Sequence, residues 1–373
     1  MNKENKNSQN TPSDPEPRKV EGWSDWKIWT VVIAIIIATA GLIVYQRYYH
    51  MFSANDEVLT ESDQSEDLAQ VSSIFDWQKS ASVWGGLSSH ASVVFQDKLW
   101  VFGGKNKDGI VTNEVWSSSD GANWSKVSSN NAWQVRSSHK AVVYNNKIWI
   151  MGGISEAREQ LNDVWSSDDG VNWIRVTNSA TWPVRADFEL VIFNNKLLVL
   201  GGWSSTSPQG GDTTYYNDAW SSADGSTWEQ LSSDSAWSKR SNFSAYTYNN
   251  KIFVAGGLTS IPRKEFSDIY SSGDGKTWTK VGDLPDARGA GDIVTANGSF
   301  YFIDGYDNEQ ALSYSFYRKD GISWSRADNA EVGPSRTFHT AEYFKDKIWL
   351  IGGTDFTSDR VNDLWSTEII GDK

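Results

Sequence analysis

Apolar runs ending in a glycine doublet recur along the chain: "LWVFGG" (99–104), "IWIMGG" (148–153), "LLVLGG" (197–202), "IFVAGG" (252–257) and "IWLIGG" (348–353). A degenerate copy, "FYFIDG", stands at 300–305. Counted by the last glycine (Gly104, Gly153, Gly202, Gly257, Gly305, Gly353), the spacings are 49, 49, 55, 48 and 48 residues. A period near fifty means repeated units that bury their faces against one another, which constrains the fold before any single residue does. Each copy carries four short strand signals. In the second they are "HKAVVY", the turn "NN", "KIWIMGG", a loop, "DVWSS", the turn "DDG", and "NWIRV". β-Branched and aromatic residues fill these runs, and Asn, Asp and Gly punctuate them. Four antiparallel strands at this period predict one propeller blade per copy, hence an all-β, six-bladed propeller over 74–373.

The last copy stops at "NDLWSTEIIGDK" without a fourth strand, while "FDWQKS" (75–80) reads as that missing strand, with Trp77 matching Trp124 and Trp173. The start of the domain is therefore expected to complete the last blade, three strands plus one, leaving no open sheet edge.

This combination resembles the kelch repeat: an Arg before the inner strand, a second strand ending in Gly-Gly, an aromatic in the third strand and Trp at the fourth. The resemblance covers about four-fifths of the chain, and places it beside galactose oxidase and other kelch-like propellers. Repeat five departs most, with Asp304 for the first glycine and Phe316 where Trp116, Trp165 and Trp220 stand. The phrases "WSSSDGANW" (116–124), "WSSDDGVNW" (165–173), "WSSADGSTW" (220–228) and "YSSGDGKTW" (270–278) join third and fourth strands. Asp-Gly there reads as a two-residue type I′ turn. The phrase also resembles the structural Asp-box of bacterial sialidases, although only Ser166–Trp173 matches it letter for letter. Trp77, Trp124, Trp173, Trp228, Trp278 and Trp324 are expected to wedge blades together, and Gly104, Gly153, Gly202, Gly257 and Gly353 to allow close packing.

The second-to-third loops and the connections between blades share one face, and their variable length marks it as the face free to work. Arg136, Arg185, Arg240, Arg288 and Arg336 recur there, with Leu87 at the aligned place in the first repeat. Trp133, Trp182 and Trp237 stand three residues before three of them. Guanidiniums suit carboxylate or phosphate, and indole faces suit sugars or Arg, so these residues form a candidate ligand site. The structural alternative pairs the arginines with nearby Asp187, Asp286, Asp292 or Glu331. The longest loop, 203–218, adds Trp203 and Tyr215. His90, His139 and His339 follow the Arg position by three and are read as packed residues rather than zinc ligands.

Residues 28–45, "IWTVVIAIIIATAGLIVY", are uncharged and long enough to span a bilayer as a helix. Arg18, Lys19 and Lys27 precede the run and only Arg47 follows within 20 residues, which predicts a cytoplasmic N-terminus (1–27) and an outward propeller. The small-residue "ATA" at 38–40 keeps a cleaved signal peptide open as the alternative. Residues 46–73 form an acidic, self-repelling tether. The net charge of −13 argues against nucleic acid as a partner. The absence of Cys excludes disulfides, thiolate sites and the cross-linked copper cofactor of galactose oxidase, and for so large an external domain points to a bacterial envelope.

The expected function is a membrane-anchored, extracytoplasmic module that binds a protein, peptide or glycan through its Trp/Arg loop face, with no cofactor or metal. The alternatives are an enzyme on acidic sugars, since a six-bladed kelch ring resembles the sialic acid mutarotases, and a purely structural role. No set of catalytic residues can be assigned.

Overall fold

The computed structural model describes residues 75–128, 131–207, 211–307, 310–311, 315–318, 324–327, 335–355, 360–361 and 363–369. The expected tail (1–27), membrane helix (28–45) and linker (46–73) lie outside the described residues. Among the described residues no helix is long and apolar enough to cross a membrane, and every regular element is a strand.

Each repeat folds into an antiparallel meander. The second runs Lys140–Tyr144, Lys147–Met151, Val164–Ser167, Ile174–Thr177, from the axis outward. Among the described residues five such sheets have four strands each. A further sheet, in the first repeat, has five because Leu87–Ser88 adds to the end of Lys98–Asn106. The last sheet takes its outer strand, Gln78–Ala81, from the start of the domain, paired with Asp363–Thr367 (Gln78 opposite Ser366, Ala81 opposite Asp363). Trp77 joins Phe75, Tyr301 and Ile348 in the core between the fifth and last repeats, the position the other fourth-strand tryptophans hold elsewhere.

The sheets meet face to face around an axis. The first strand of each packs beside the first strand of the next, and Thr340–Phe344 lies beside Ala91–Phe95. At one mouth of this ring the backbone closes in a cycle of hydrogen bonds. Ser138 N–H donates to Ser89 O (2.8 Å), Asp187 to Ser138 (3.1 Å), Asn242 to Asp187 (3.0 Å), Ala290 to Asn242 (2.9 Å), Phe338 to Ala290 (3.0 Å) and Ser89 to Phe338 (2.9 Å). All of these residues hold positive φ, from 48° to 56°, so the cycle rests on a repeated strained conformation that its hydrogen bonds maintain.

The second glycine of each doublet stitches neighbours together: Gly153 N–H donates to Arg185 O, Gly202 to Arg240 O, Gly257 to Arg288 O and Gly353 to Leu87 O. A Cβ on Gly153 would lie 2.6 Å from Ser137 O, which is why the close approach needs glycine. Gly104, Gly202, Gly257 and Gly353 are confined in the same way, against His90, Phe188, Phe243 and His339.

The turns distribute differently from expectation. The type I′ conformation belongs to first-to-second turns: Gln96–Asp97, Asn145–Asn146, Asn194–Asn195, Asn249–Asn250 and Lys345–Asp346 all have φ between 46° and 60°. The Asp-Gly turns are longer loops in which only glycine is left-handed (Gly121, Gly170, Gly225, Gly275; φ 72° to 81°). In the second repeat Asp169 is the organiser, accepting from Val171 N (2.8 Å), Asn172 N (2.7 Å) and the Ser167 hydroxyl (3.0 Å). Asp120, Asp224 and Asp274 do the same. Asp168, the residue that matches the sialidase motif, instead pairs with Lys147 at the surface. Burial opposes ionisation of Asp169, but the hydrogen bonds from Asn172, Val171 and Ser167 together outweigh it and bring the pKa down to about 2.

Candidate functional site

The arginines of the repeats are turned into the protein. Arg136, Arg185, Arg240 and Arg288 have no exposed surface, and Arg336 is buried. Arg185 forks onto Asp218 (Nη1–Oδ1 2.8 Å, Nη2–Oδ2 2.8 Å) and donates to Gly201 O (2.7 Å) and, through Nε, to Pro183 O (3.1 Å). Arg136 repeats this with Asp163, Gly152 O and Gln134 O, and Arg240 with Asp268, Gly256 O and Ser238 O. Arg336 binds Asp363; Arg288 donates to Asp304 O and lies 4.0 Å from Asp286. The guanidiniums of Arg136, Arg185 and Arg240 thus bridge the glycine doublet to the third strand within one sheet, whereas Arg288 reaches only the degenerate doublet and Arg336 only the third strand. The same carboxylate often accepts the indole N–H two residues on, as Asp163 does from Trp165 (2.7 Å). The first repeat lacks Arg, and there Glu114 pairs with Lys126 instead.

Trp133, Trp182 and Trp237 are also fully buried, edge-on to Trp173, Trp228 and Trp278 at 6.0, 5.9 and 6.0 Å between centroids. Trp124 meets Trp84 in the same manner, and Trp324 meets Tyr246 and Phe302. The three tryptophans are thus held in packing contacts, and the guanidiniums of Arg136, Arg185, Arg240 and Arg336 are each bonded to an aspartate of the protein itself. Of the sequence-chosen partners only Asp286 approaches an arginine. Asp187 and Asp292 serve elsewhere, and Glu331 lies outside the described residues.

Trp203 and Tyr215 do lie on the open loop face, both half-buried. Trp203 donates its indole N–H to Asp187 (2.8 Å), beside the hydrogen-bond cycle. The Tyr215 hydroxyl accepts from Ser260 N–H (2.7 Å), tying the long hairpin of the third repeat to the neighbouring hairpin Leu258–Ser260/Arg263–Glu265. Arg263 stacks over Tyr306 (5.1 Å) and pairs with Glu265 (2.7 Å); Tyr306 in turn contacts Phe338 (6.3 Å) at the mouth. Ile261, at the hairpin tip, is 73% exposed, and Val83, Ile110 and Val184 stand exposed on the same face.

Below the mouth the inner strands enclose a cavity of about 530 Å³ whose polar lining the sequence reading missed. Lys140 bonds Glu189 at 2.8 Å. Asp292 accepts from Ala341 N–H and Ile293 N–H, both 2.9 Å, and Glu342 from the Ser92 hydroxyl at 2.7 Å. Burial raises Glu189 and Glu342 to about 7, Lys140 opposing it at the first and Ser92 at the second. It also raises Asp292 and Asp187. The signal was present: "HKA", "FEL" and "GDI" place a charge in inner strands that are otherwise apolar. His90, His139 and His339 are buried, and burial holds His90 and His339 at about 3, so they pack as neutral rings. Among the described residues no cluster of three or more His, Asp or Glu is arranged to hold a metal.

The family model "KLHDC2/KLHL20/DRC7 Kelch-repeats domain" matches residues 89–281, just over half of the chain. The chain belongs to the kelch-repeat family. It is similar to the Kelch repeat protein M-T8 of Myxoma virus (strain Lausanne), 28% identical over 127 residues, which are 32% of this chain and 24% of that protein. It is also similar to the Leucine-zipper-like transcriptional regulator 1 homolog of Drosophila melanogaster, 24% identical over 149 residues, 36% of this chain and 15% of that protein. The chain thus spans a quarter or less of either relative.

Proposed function

We propose that this chain is a six-bladed kelch propeller that binds a protein partner through the rim built by Trp203, Tyr215, Ile261, Arg263 and Tyr306, and that residues 28–45 hold it at a membrane with the propeller outside. The observation that carries the binding reading is the exposed apolar tip at Ile261 set among half-buried aromatics and Arg263, none of which the blade cores consume. Apolar and aromatic groups surrounded by mixed charge are the composition of a protein-recognition surface. Six blades are supported by the closed cycle of mouth hydrogen bonds and by the neighbour relations of the inner strands. The anchor is supported by the apolar run and the charge asymmetry around it.

The test is binding of a displayed peptide library and a glycan array to the full chain in detergent, alongside Ile261→Asp and Arg263→Ala. The expected result is saturable peptide binding weakened tenfold or more in both variants, with unchanged melting temperatures. Glycan binding that both variants retain would overturn the reading.

A further inference from the structure

The axial cavity gathers more negative than positive groups in a space walled by the inner strands of the sheets. From the first repeat it is faced by His90 and Ser92, from the second by His139 and Lys140, from the third by Asp187 and Glu189. The fifth repeat contributes Asp292 and the last His339 and Glu342; the fourth contributes Asn242, Phe243 and Ala245, with no charge. Lys140 is therefore the one ammonium, and Glu189 already holds it at 2.8 Å. Asp292 is satisfied by two backbone N–H groups and Glu342 by a hydroxyl, so among the described residues neither has a cation within salt-bridge distance. Asp187 links this space to the loop face, since its backbone belongs to the mouth cycle and its carboxylate holds Trp203.

We propose that the axial cavity is a proton-binding element that tightens the ring as pH falls through neutrality, with Glu342 and Glu189 taking up the protons. Carboxylates withdrawn from water are more stable protonated, and protonation of Glu342 and Glu189 removes their repulsion by Asp292 between inner strands that packing, the mouth cycle and the Ser92–Glu342, Lys140–Glu189 and Ala341–Asp292 bonds otherwise hold together. The sign follows from linkage. Glu342 has a pKa of about 7 in the fold, above its ordinary value. The folded chain then binds more protons than the unfolded chain across that interval, and stability falls as pH rises through it. The buried His90, His139 and His339 work in the opposite direction at acid pH, because burial lowers them. The test therefore compares variants and does not rely on one curve.

The melting temperature of the full chain is measured from pH 4.5 to 8 for wild type, Glu342→Gln and a surface control, Glu229→Gln. Gln retains an acceptor for Ser92. Glu342→Gln is expected to match wild type at pH 4.5 and to melt about 2–4 °C higher at pH 8, while the control follows wild type throughout. Lys140→Met, which removes the one ammonium among the described residues lining the cavity, should deepen the loss above pH 7. A Glu342→Gln difference that is constant with pH, or that shrinks as pH rises, overturns the proposal; if Lys140→Met does not fold, the Glu342→Gln comparison alone decides.

Discussion

At the residue scale, an arginine repeated before every inner strand but one has its meaning set by what its guanidinium reaches. Arg185 reaches Asp218, 33 residues away in the third strand, and the carbonyl of Gly201. Both groups are buried with it, so truncation strands a carboxylate and a carbonyl together. Arg185→Ala is expected to cost about 3–5 kcal/mol, measured by urea denaturation followed by tryptophan fluorescence. A ligand-contacting arginine would leave the midpoint unchanged. Nearness in sequence was a poor guide to the partner: Asp187, two residues away, points to Trp203.

At the scale of the element, the Asp-Gly loops show why a repeated phrase is structural. Asp169 pins the loop backbone, and Gly170 lets it lie against the neighbouring sheet, where a Cβ would stand 2.5 Å from the Trp100 ring. Gly170→Ala therefore combines overpacking with a φ of 74° that suits glycine. The expected loss is about 1–3 kcal/mol from overpacking alone, read from thermal melts beside Gly298→Ala, which meets nothing within 4 Å. A similar effect for both would mean that backbone strain, and not the contact with Trp100, sets the cost.

At the scale of the molecule, the ring stands on mutual closure. The outer strand Gln78–Ala81 covers the edge of Asp363–Thr367, and Phe75 and Trp77 fill the core between the fifth and last repeats. A chain beginning at residue 83 loses both, exposing a sheet edge and an apolar cleft. It is expected to aggregate or melt far below a chain beginning at residue 70, as light scattering during a thermal ramp would show. Equal melting of the two would mean that the ring closes without that strand.

The strands, their antiparallel order, the glycine doublets and the completion of the last sheet by the N-terminal strand were legible in the sequence. They depend on period and on local conformational preference, which repetition amplifies. The turn types were half legible: Asn-Asn and Asp-Gly both permit positive φ, and only the loop length between strands separates a tight hairpin from the Asp-pinned loop. Which arginines are free, which carboxylates line the axis and which aromatics remain at the surface were decided by tertiary structure. Those properties depend on burial and on partners from other strands or repeats, such as Ser92 with Glu342, 250 residues apart. A one-dimensional pattern carries the period of a ring but not the chemistry of its centre, because the centre exists only once the ends of the domain have met.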